Sequence, residues 1–479
     1  MAKNKNMWGG RFTKPVDKGF FEFQKSIKYD YKLLEYDVYH SVIHITALNK
    51  AGILDDNECK KLKMALKSVL DQIEEKGVES FLTSSEIEGA EDVHTYLQRI
   101  IEKKLAPKDK ELVDKLHSLR SRNDQIVFNE KFYCLDKSVA ISSQLITLLE
   151  SIIVLEEKYA KENFIGYTHT QRAQAVPFVS YLSAFFYMFN RDTERLQSYV
   201  HNLNIYIGAG ALTGSSLTKE NYNEAIKEFQ IVKQPSNLKL VENAMDNVSD
   251  RDFIIEFLSA ISIIQMHLSR LAEDIILYST KEFNFIKLPE EFCTGSSLMP
   301  HKKNPDFLEL VRGYTGMIYG NLMAILTTMK GLPLTYNRDM QLDKQPLFSS
   351  IEIVEKELTI MAQFIKGIEL NNKVIKAILK KEKALYATEL AEWLVVEKKV
   401  PFKKAHDIVG RLIILMEKKG ENITNADLKG LHCSLTKKII KEKMNVMHAL
   451  MSKKTVTAEI SNIENVKAKV ITDNIVTSN

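Results

Sequence analysis

Cross-linking residues, helix breakers and a strong charge of one sign are all scarce in this 479-residue chain. Four cysteines, Cys59, Cys134, Cys293 and Cys433, are scattered without a CxxC pair or any metal-ligand spacing. That excludes a disulfide-stapled scaffold, gives no reason to expect a metal, and predicts a reducing, cytoplasmic setting. Lys and Arg number 66 against 62 Asp and Glu, a formal charge of +4, too small a surplus to point by itself to nucleic acid. Residues 1–11 are polar around a Trp-Gly-Gly turn and lack the apolar core of a signal peptide. One uncharged run, Ala173–Asn190, approaches the length of a membrane span. Gln174, Pro177, Ser180 and Ser183 interrupt it and Arg172 and Arg191 bracket it, so it is expected to form a helix buried in a large bundle.

The ten prolines leave long gaps, from Pro107 to Pro177, Pro177 to Pro235, Pro235 to Pro289 and Pro346 to Pro401. Proline-free spans permit long helices, because an interior proline removes a backbone hydrogen bond and clashes with the preceding turn. Apolar spacing predicts that such helices form. Ile254, Leu258, Ile261, Ile264, Leu268, Leu271, Ile275 and Tyr278 recur in steps of three and four, as do Phe307, Val311, Tyr314, Ile318, Leu322, Ile325 and Met329, close to the 3.6-residue period. No comparable period-2 run is present, so the fold is expected to be all-α. Three parts are expected: residues 1–114 with shorter helices, 115–366 with the longest helices, and a Lys-rich 367–479 whose lysines alternate with Glu and apolar residues as on a solvated helix face.

Against a Lys/Glu surface and an aliphatic interior, a few polar clusters stand out. Thr294-Gly295-Ser296-Ser297-Leu298-Met299-Pro300-His301-Lys302-Lys303-Asn304-Pro305 reads as a loop followed by a helix start, with Asn304 as cap and Pro305 in the first turn. A connector explains the cap but not two hydroxyls, a histidine and two lysines packed before it. Lysine beside free backbone amides suits a carboxylate or phosphate, and a serine near that positive charge loses its proton more easily. The run His117 to Gln125 carries Arg120, Arg122 and Asn123, suited to gripping carboxylates. Gly166 to Arg172 sets His169 between Thr168 and Thr170 ahead of the uncharged run, a place for a tuned acid–base group. Glu91-Asp92-Val93-His94-Thr95, and Tyr336 to Gln341 with Lys344, complete the set. There is no G-x-S-x-G elbow, P-loop or dinucleotide fingerprint. The residues alone predict an all-helical, anion-binding, proton-transferring site.

Gly295 to Pro305 resembles the GSSxMPxKxNP signature of the fumarase/aspartase superfamily. Within it the chain resembles the argininosuccinate lyase family nearly end to end. Trp8-Gly9-Gly10-Arg11-Phe12, Ser121-Arg122-Asn123-Asp124-Gln125, Gly166 through Gln174, Asp250-Arg251-Asp252-Phe253 and Tyr336 through Lys344 match that family's motifs in order. Adenylosuccinate lyase and fumarase share the loop but generally lack the Trp-Gly-Gly-Arg-Phe opening and the Ser-Arg-Asn-Asp-Gln form. The resemblance implies reversible elimination of argininosuccinate to arginine and fumarate, the last step of arginine biosynthesis, without cofactor or metal. It implies Ser296 as base, His169 as acid or relay, Lys302 and Asn304 stabilising a dianionic intermediate, and Glu309 orienting a histidine. It assigns Arg122, Asn123, Thr168 and Ser297 to the succinyl carboxylates and Ser26, Tyr336, Gln341 and Lys344 to the arginine portion, with His94 and Arg251 also at the site. It further implies a three-domain fold whose long helices join in a homotetramer as a twenty-helix core, each active site drawing on three subunits, with no nucleic acid or membrane partner. The alternatives are another fumarate-releasing lyase of the adenylosuccinate lyase kind, or a non-catalytic protein like some lens delta-crystallins. Two departures stand out: Leu119 occupies a place where the family commonly has glycine, and residues 451–479 lack the family's Gly-Gly-Thr.

Overall fold

The computed structural model describes residues 14–83, 87, 89–230 and 237–453. The Trp8–Phe12 motif and most of the 451–479 tail lie outside the described residues. Among the described residues helices dominate, and the strands are short and paired in twos. The chain folds as two compact units, each discontinuous in sequence: Met1–Ser143 with Glu194–Ile263 and Gly316–Glu355, and Gln144–Thr193 with Ile264–Thr315 and Lys356–Asn479.

In the first unit, helix Leu34–Lys50 is the hub, packing against Asp56–Lys76 and Lys219–Gln230. Helix Asp56–Lys76 starts at a reciprocal cap, in which the Asp55 side chain accepts from Glu58 N and Glu58 accepts from Asp55 N, satisfying two otherwise orphaned donors. Helix Arg122–Lys158 opens in this unit and presents Val127, Phe128, Phe132 and Tyr133 to the core. Its aromatic residues meet Tyr36 and Tyr39 with ring centroids 5.3 to 5.8 Å apart, within the range in which aromatic pairs attract. Asp124 on the same helix accepts from the backbone N–H of Gly208 (2.9 Å) and Ala209 (3.1 Å). That bond anchors the chain just beyond strand Ile205–Ile207, which pairs in parallel with Leu238–Leu240.

In the second unit, Asn163–Thr168 and Gln171–Pro177 form an antiparallel hairpin, with a register shift between Gly166 and Tyr167. Phe164 sits at the centre of an aromatic core with Phe178, Tyr181, Tyr278 and Phe285, at centroid distances of 5.2 to 5.7 Å. Gln265 Nε2 donates to Glu357 Oε2 (2.6 Å) and to Val311 O (3.0 Å), tying three helices together. Burial pushes the Glu357 carboxyl up to about 8, so it is protonated at neutral pH.

The two long periodic patterns correspond to helices Asp252–Ser279 and Asp306–Met329. Helices Arg122–Lys158 and Asp252–Ser279 are long and apolar enough to cross a membrane by composition, but 61% of the second one's most apolar window is buried inside the fold. The expectation of one helix over Ala173–Asn190 needs correcting. Residues up to Pro177 form a strand, and the helix runs Phe178–Asn202. The strand has no period-2 signal in the sequence, and the fold is all-α in class as expected. Asn304 does not cap its helix as expected. It pairs as a short strand with Thr294, its Nδ2 donates to Gly295 O (3.4 Å), and the helix begins at Asp306.

Candidate active site

In the first unit, a cleft of about 520 Å³ is lined by Ser26, His94, Arg122, Asn123, Tyr336, Gln341 and Lys344 together with Asp30, Glu91, Asp92, Arg120 and Arg338. Four separate stretches of sequence supply them. A larger hollow in the same unit, about 970 Å³ near Tyr39, Lys63 and Phe229, holds none of the residues expected at the site.

Arg122, Arg338 and Lys344 of the cleft are paired with carboxylates, whereas Arg120 Nη1 donates to Ser41 Oγ (2.9 Å). Arg122 Nη1 donates to Asp92 Oδ2 (2.7 Å) and Nη2 to Thr95 Oγ1 (3.0 Å), while Arg338 Nη2 donates to Glu91 Oε1 (3.0 Å). Lys344 Nζ lies 2.9 Å from Asp343 Oδ1 and 3.0 Å from Glu130 Oε1. Burial alone would lower the Lys344 pKa, but these two carboxylates outweigh it and hold the ammonium well above its ordinary value. Burial and the neighbouring Asp343 push the Glu130 carboxyl up from its ordinary value. Asp30 is pushed up to about 6 by burial and by Asp92, and its Oδ2 accepts from Ser26 Oγ at 2.6 Å. Gln341 is oriented by donating to Gln24 O (2.8 Å), and Asn123 by donating to Ala211 O (3.2 Å).

Arg251 does not line this cleft. It is 1% exposed, its Nε bonds Asp343 and lies 3.4 Å from Glu130 Oε2, and its Nη1 donates to Asp250 O. It meets the cleft through the carboxylates it shares with Lys344.

The remaining expected residues belong to the second unit. His169 and Thr170 are the two residues of the hairpin turn, with φ of +52° and +57°, the geometry of the tight primed turn that glycine or asparagine ordinarily fills. Both are exposed, as is Thr168 at the strand end. His169 therefore tops a strand turn rather than leading into a helix as expected, because the chain reverses before Pro177. Ser296 and Ser297 sit in a loop pinned at its base by pairing of Thr294 with Asn304 and Gly295 with Lys303. Ser296 Oγ accepts from the backbone N–H of Leu298 (3.3 Å) and Met299 (3.0 Å). Hydrogen bonds to an oxygen favour its charged form. Lys302 and Glu309 are exposed, and Asn304 is half-buried. Glu309 borders a hollow of about 870 Å³ with Lys303 and Cys293.

The sequence profile of the lyase family matches residues 10–320, and that of the argininosuccinate lyase C-terminal segment matches residues 384–456. An argininosuccinate lyase from Caldanaerobacter subterraneus subsp. tengcongensis is 40% identical over 454 residues, covering 94% of this chain and 98% of the relative. The chain belongs to the argininosuccinate lyase family. The fold agrees with that membership. The chain superposes on EDDS lyase in complex with formate with a TM-score of 0.71 at 20% identity, covering 95% and 91% of the two chains. It superposes on the class II fumarase of Schistosoma mansoni with a TM-score of 0.69 at 16% identity, covering 87% and 90%. Sequence reasoning missed Asp30, Asp37, Glu130 and Asp343, which this family member uses to hold its cleft cations and hydroxyl. Only Glu130 carries a local signal, an acid standing among Val127, Phe128, Phe132 and Tyr133.

Proposed function

We propose that this family member catalyses the reversible elimination of argininosuccinate to arginine and fumarate, as a carbon–nitrogen lyase acting in the cytoplasm. The 40% identity with an argininosuccinate lyase over 94% of the chain carries the reading, and the cation-bearing cleft of the first unit suits a substrate with several carboxylates. Ser296, as the alkoxide, takes a proton from the carbon beside a succinyl carboxylate. The electron pair left on carbon spreads into that carboxylate, and the resulting dianion is held by Lys302 and Asn304. The carbon–nitrogen bond then breaks, its electrons leave with the guanidino nitrogen, and His169 acts as acid or relay for the nitrogen's proton, while Glu309 orients a histidine partner. Two backbone donors on Ser296 Oγ support its part as base.

Arg122, Asn123, Thr168 and Ser297 hold the succinyl carboxylates. Ser26, Tyr336, Gln341 and Lys344 hold the arginine portion, with His94 at the same cleft and Arg251 buried behind it. The reading calls on no cofactor and no metal. It retains the division at 1–114, 115–366 and 367–479, and a homotetramer in which each site draws on three subunits. Supporting the tetramer, helix Asp306–Met329 leaves Leu310, Met317 and Met323 exposed at 57%, 50% and 62%, an apolar surface of the kind that association covers. All four cysteines are free, in keeping with a reducing compartment.

Purified protein given argininosuccinate is expected to produce fumarate, read by its ultraviolet absorbance, and to leave adenylosuccinate untouched. Fumarate from adenylosuccinate alone transfers the reading to that other lyase, and fumarate from neither leaves a non-catalytic protein.

A further inference from the structure

Asp37 lies in the first turn of helix Leu34–Lys50, 1% exposed, and neither the proton transfers nor the carboxylate contacts of the proposed reaction involve it. Three donors converge on its Oδ1: His94 Nδ1 at 2.8 Å, Gln125 Nε2 at 2.9 Å and Asn129 Nδ2 at 3.0 Å. Gln125 and Asn129 stand one turn apart on helix Arg122–Lys158, so one face of that helix clamps the carboxylate while the cleft histidine takes the remaining side. His94 is itself 6% exposed and lines the cleft. With Nδ1–H given to Asp37, Nε2 is the ring nitrogen left for a ligand.

We propose that Asp37 is a positioning residue that fixes the His94 ring and keeps it an imidazolium, so that Nε2–H serves as a cationic donor to a carboxylate of the substrate. The inference rests on the lyase reading and adds the source of one of its binding charges. The charges around His94 support it. Asp37 faces it from helix Leu34–Lys50, Asp92 caps its own helix, and Asp30 lies on the segment just before Leu34. Arg122 opposes them from helix Arg122–Lys158, and His117 from the loop before it. Burial would by itself disfavour the charged ring, but Asp37 and Asp92 outweigh it and raise the His94 pKa above its ordinary value. Asp37 is in turn held well below the usual carboxylate range, its burial outweighed by His94, Arg120 and Asn129. Protonation of His117, the other histidine of the cleft, is suppressed: burial and the two arginines bring it down to about 3. The two histidines of the cleft are thus biased in opposite directions, His94 toward the charged ring and His117 toward the neutral one.

The test has two readouts. Deuterium exchange at the imidazole C2–H of the His94 peptide, followed by mass spectrometry across pH on the intact wild-type protein, should give a midpoint above the ordinary histidine value of about 6.5. In Asp37→Asn the midpoint should fall by at least one pH unit. A wild-type midpoint below the ordinary value overturns the proposal, and decides the matter even where Asp37→Asn does not fold. An unshifted midpoint in a folded variant overturns it too. In kinetics, Asp37→Asn should raise KM for argininosuccinate roughly tenfold, the loss of one charge-assisted contact, with kcat within about threefold of wild type. Adding Asp37→Asn to His94→Gln should raise KM no further, because the two act as one unit. A collapse of kcat at unchanged KM, or a further KM increase in the double variant, contradicts it. A wild-type protein that makes no fumarate at all sinks the lyase reading, while the exchange midpoint still tests the pairing itself.

Discussion

Lys344 is 3% exposed and touches two carboxylates; Lys302 stands exposed on a loop in the other unit. His94 is buried against Asp37, whereas His169 is exposed at the tip of a two-residue turn. The same pairs of residue types are thus enclosed and paired in the first unit and open in the second. Enclosure costs desolvation, which only close opposite charges and hydrogen bonds offset, and the first unit supplies these within one chain. The groups proposed to move protons lack that setting in a single chain. They need an environment from elsewhere, which the proposed association of subunits would supply.

The largest effect should come from the open region. Ser296→Ala removes one half-buried hydroxyl, so stability should be unchanged while kcat falls about a thousandfold, within the usual contribution of a general base. Turnover within tenfold of wild type would remove Ser296 as base. In the enclosed region the large effect should be on stability instead. Arg251→Gln leaves Glu130 and Asp343 facing each other with one cation, and breaking such a buried cluster costs about 3–5 kcal/mol. Chemical denaturation should show that loss, and a change under 1 kcal/mol would mean the cluster relaxes freely.

Acid should also strike the enclosed region first. His40 and His44 are fully buried, and burial holds both below the ordinary histidine value. The unfolded chain takes up their protons near pH 6.5 while the folded one does not, so stability falls as pH drops below about 6.5, by up to roughly 2–3 kcal/mol per pH unit for the two together. His117, brought down to about 3, extends the loss toward that pH. Buried carboxyls pull the other way, since Glu357, pushed up to about 8, and Asp30, to about 6, bind protons in the folded chain before the unfolded one does. Removing that offset in Glu357→Gln should make the melting temperature measured from pH 7.5 to 4.5 fall more steeply than in wild type, and an unchanged profile would mean that the Glu357 carboxyl is solvated.

How much of this was legible from sequence depended on whether the cause lay in neighbouring residues. Helix Asp306–Met329 was readable because Val311, Ile318 and Ile325 repeat along one face and are buried there. The Ser296 loop was readable as a dense polar run. The hairpin was not, because its turn is His169-Thr170 rather than a pair containing glycine, and its strand has no charge after Arg172. Nor were the roles of Asp37, Glu130 and Asp343 readable, since Asp37 meets His94, and Glu130 and Asp343 meet Arg251, only when distant segments come together. Leu119, where the family resemblance leads one to expect glycine, has a φ of +58°, a left-handed conformation costing a leucine about 1–2 kcal/mol. Part of that is returned because glycine loses more freedom on folding. Leu119→Gly should therefore stabilise the first unit by about 0.5 kcal/mol, the smallest effect here, and a loss of more than 1 kcal/mol would mean that the leucine side chain contributes packing that outweighs the strain.

The contrast between an enclosed binding region and an open proton-transfer region is tested most directly by mixing subunits. Asn123→Leu disables the cleft and Ser296→Ala the loop, and each alone should be nearly inactive. If a site combines the cleft of one subunit with the loop of another, co-refolded mixtures should recover up to about a quarter of wild-type fumarate release, since each contribution is intact half of the time. Mixed tetramers that form, as seen by native mass spectrometry, yet stay at the activity of the parents would contradict it.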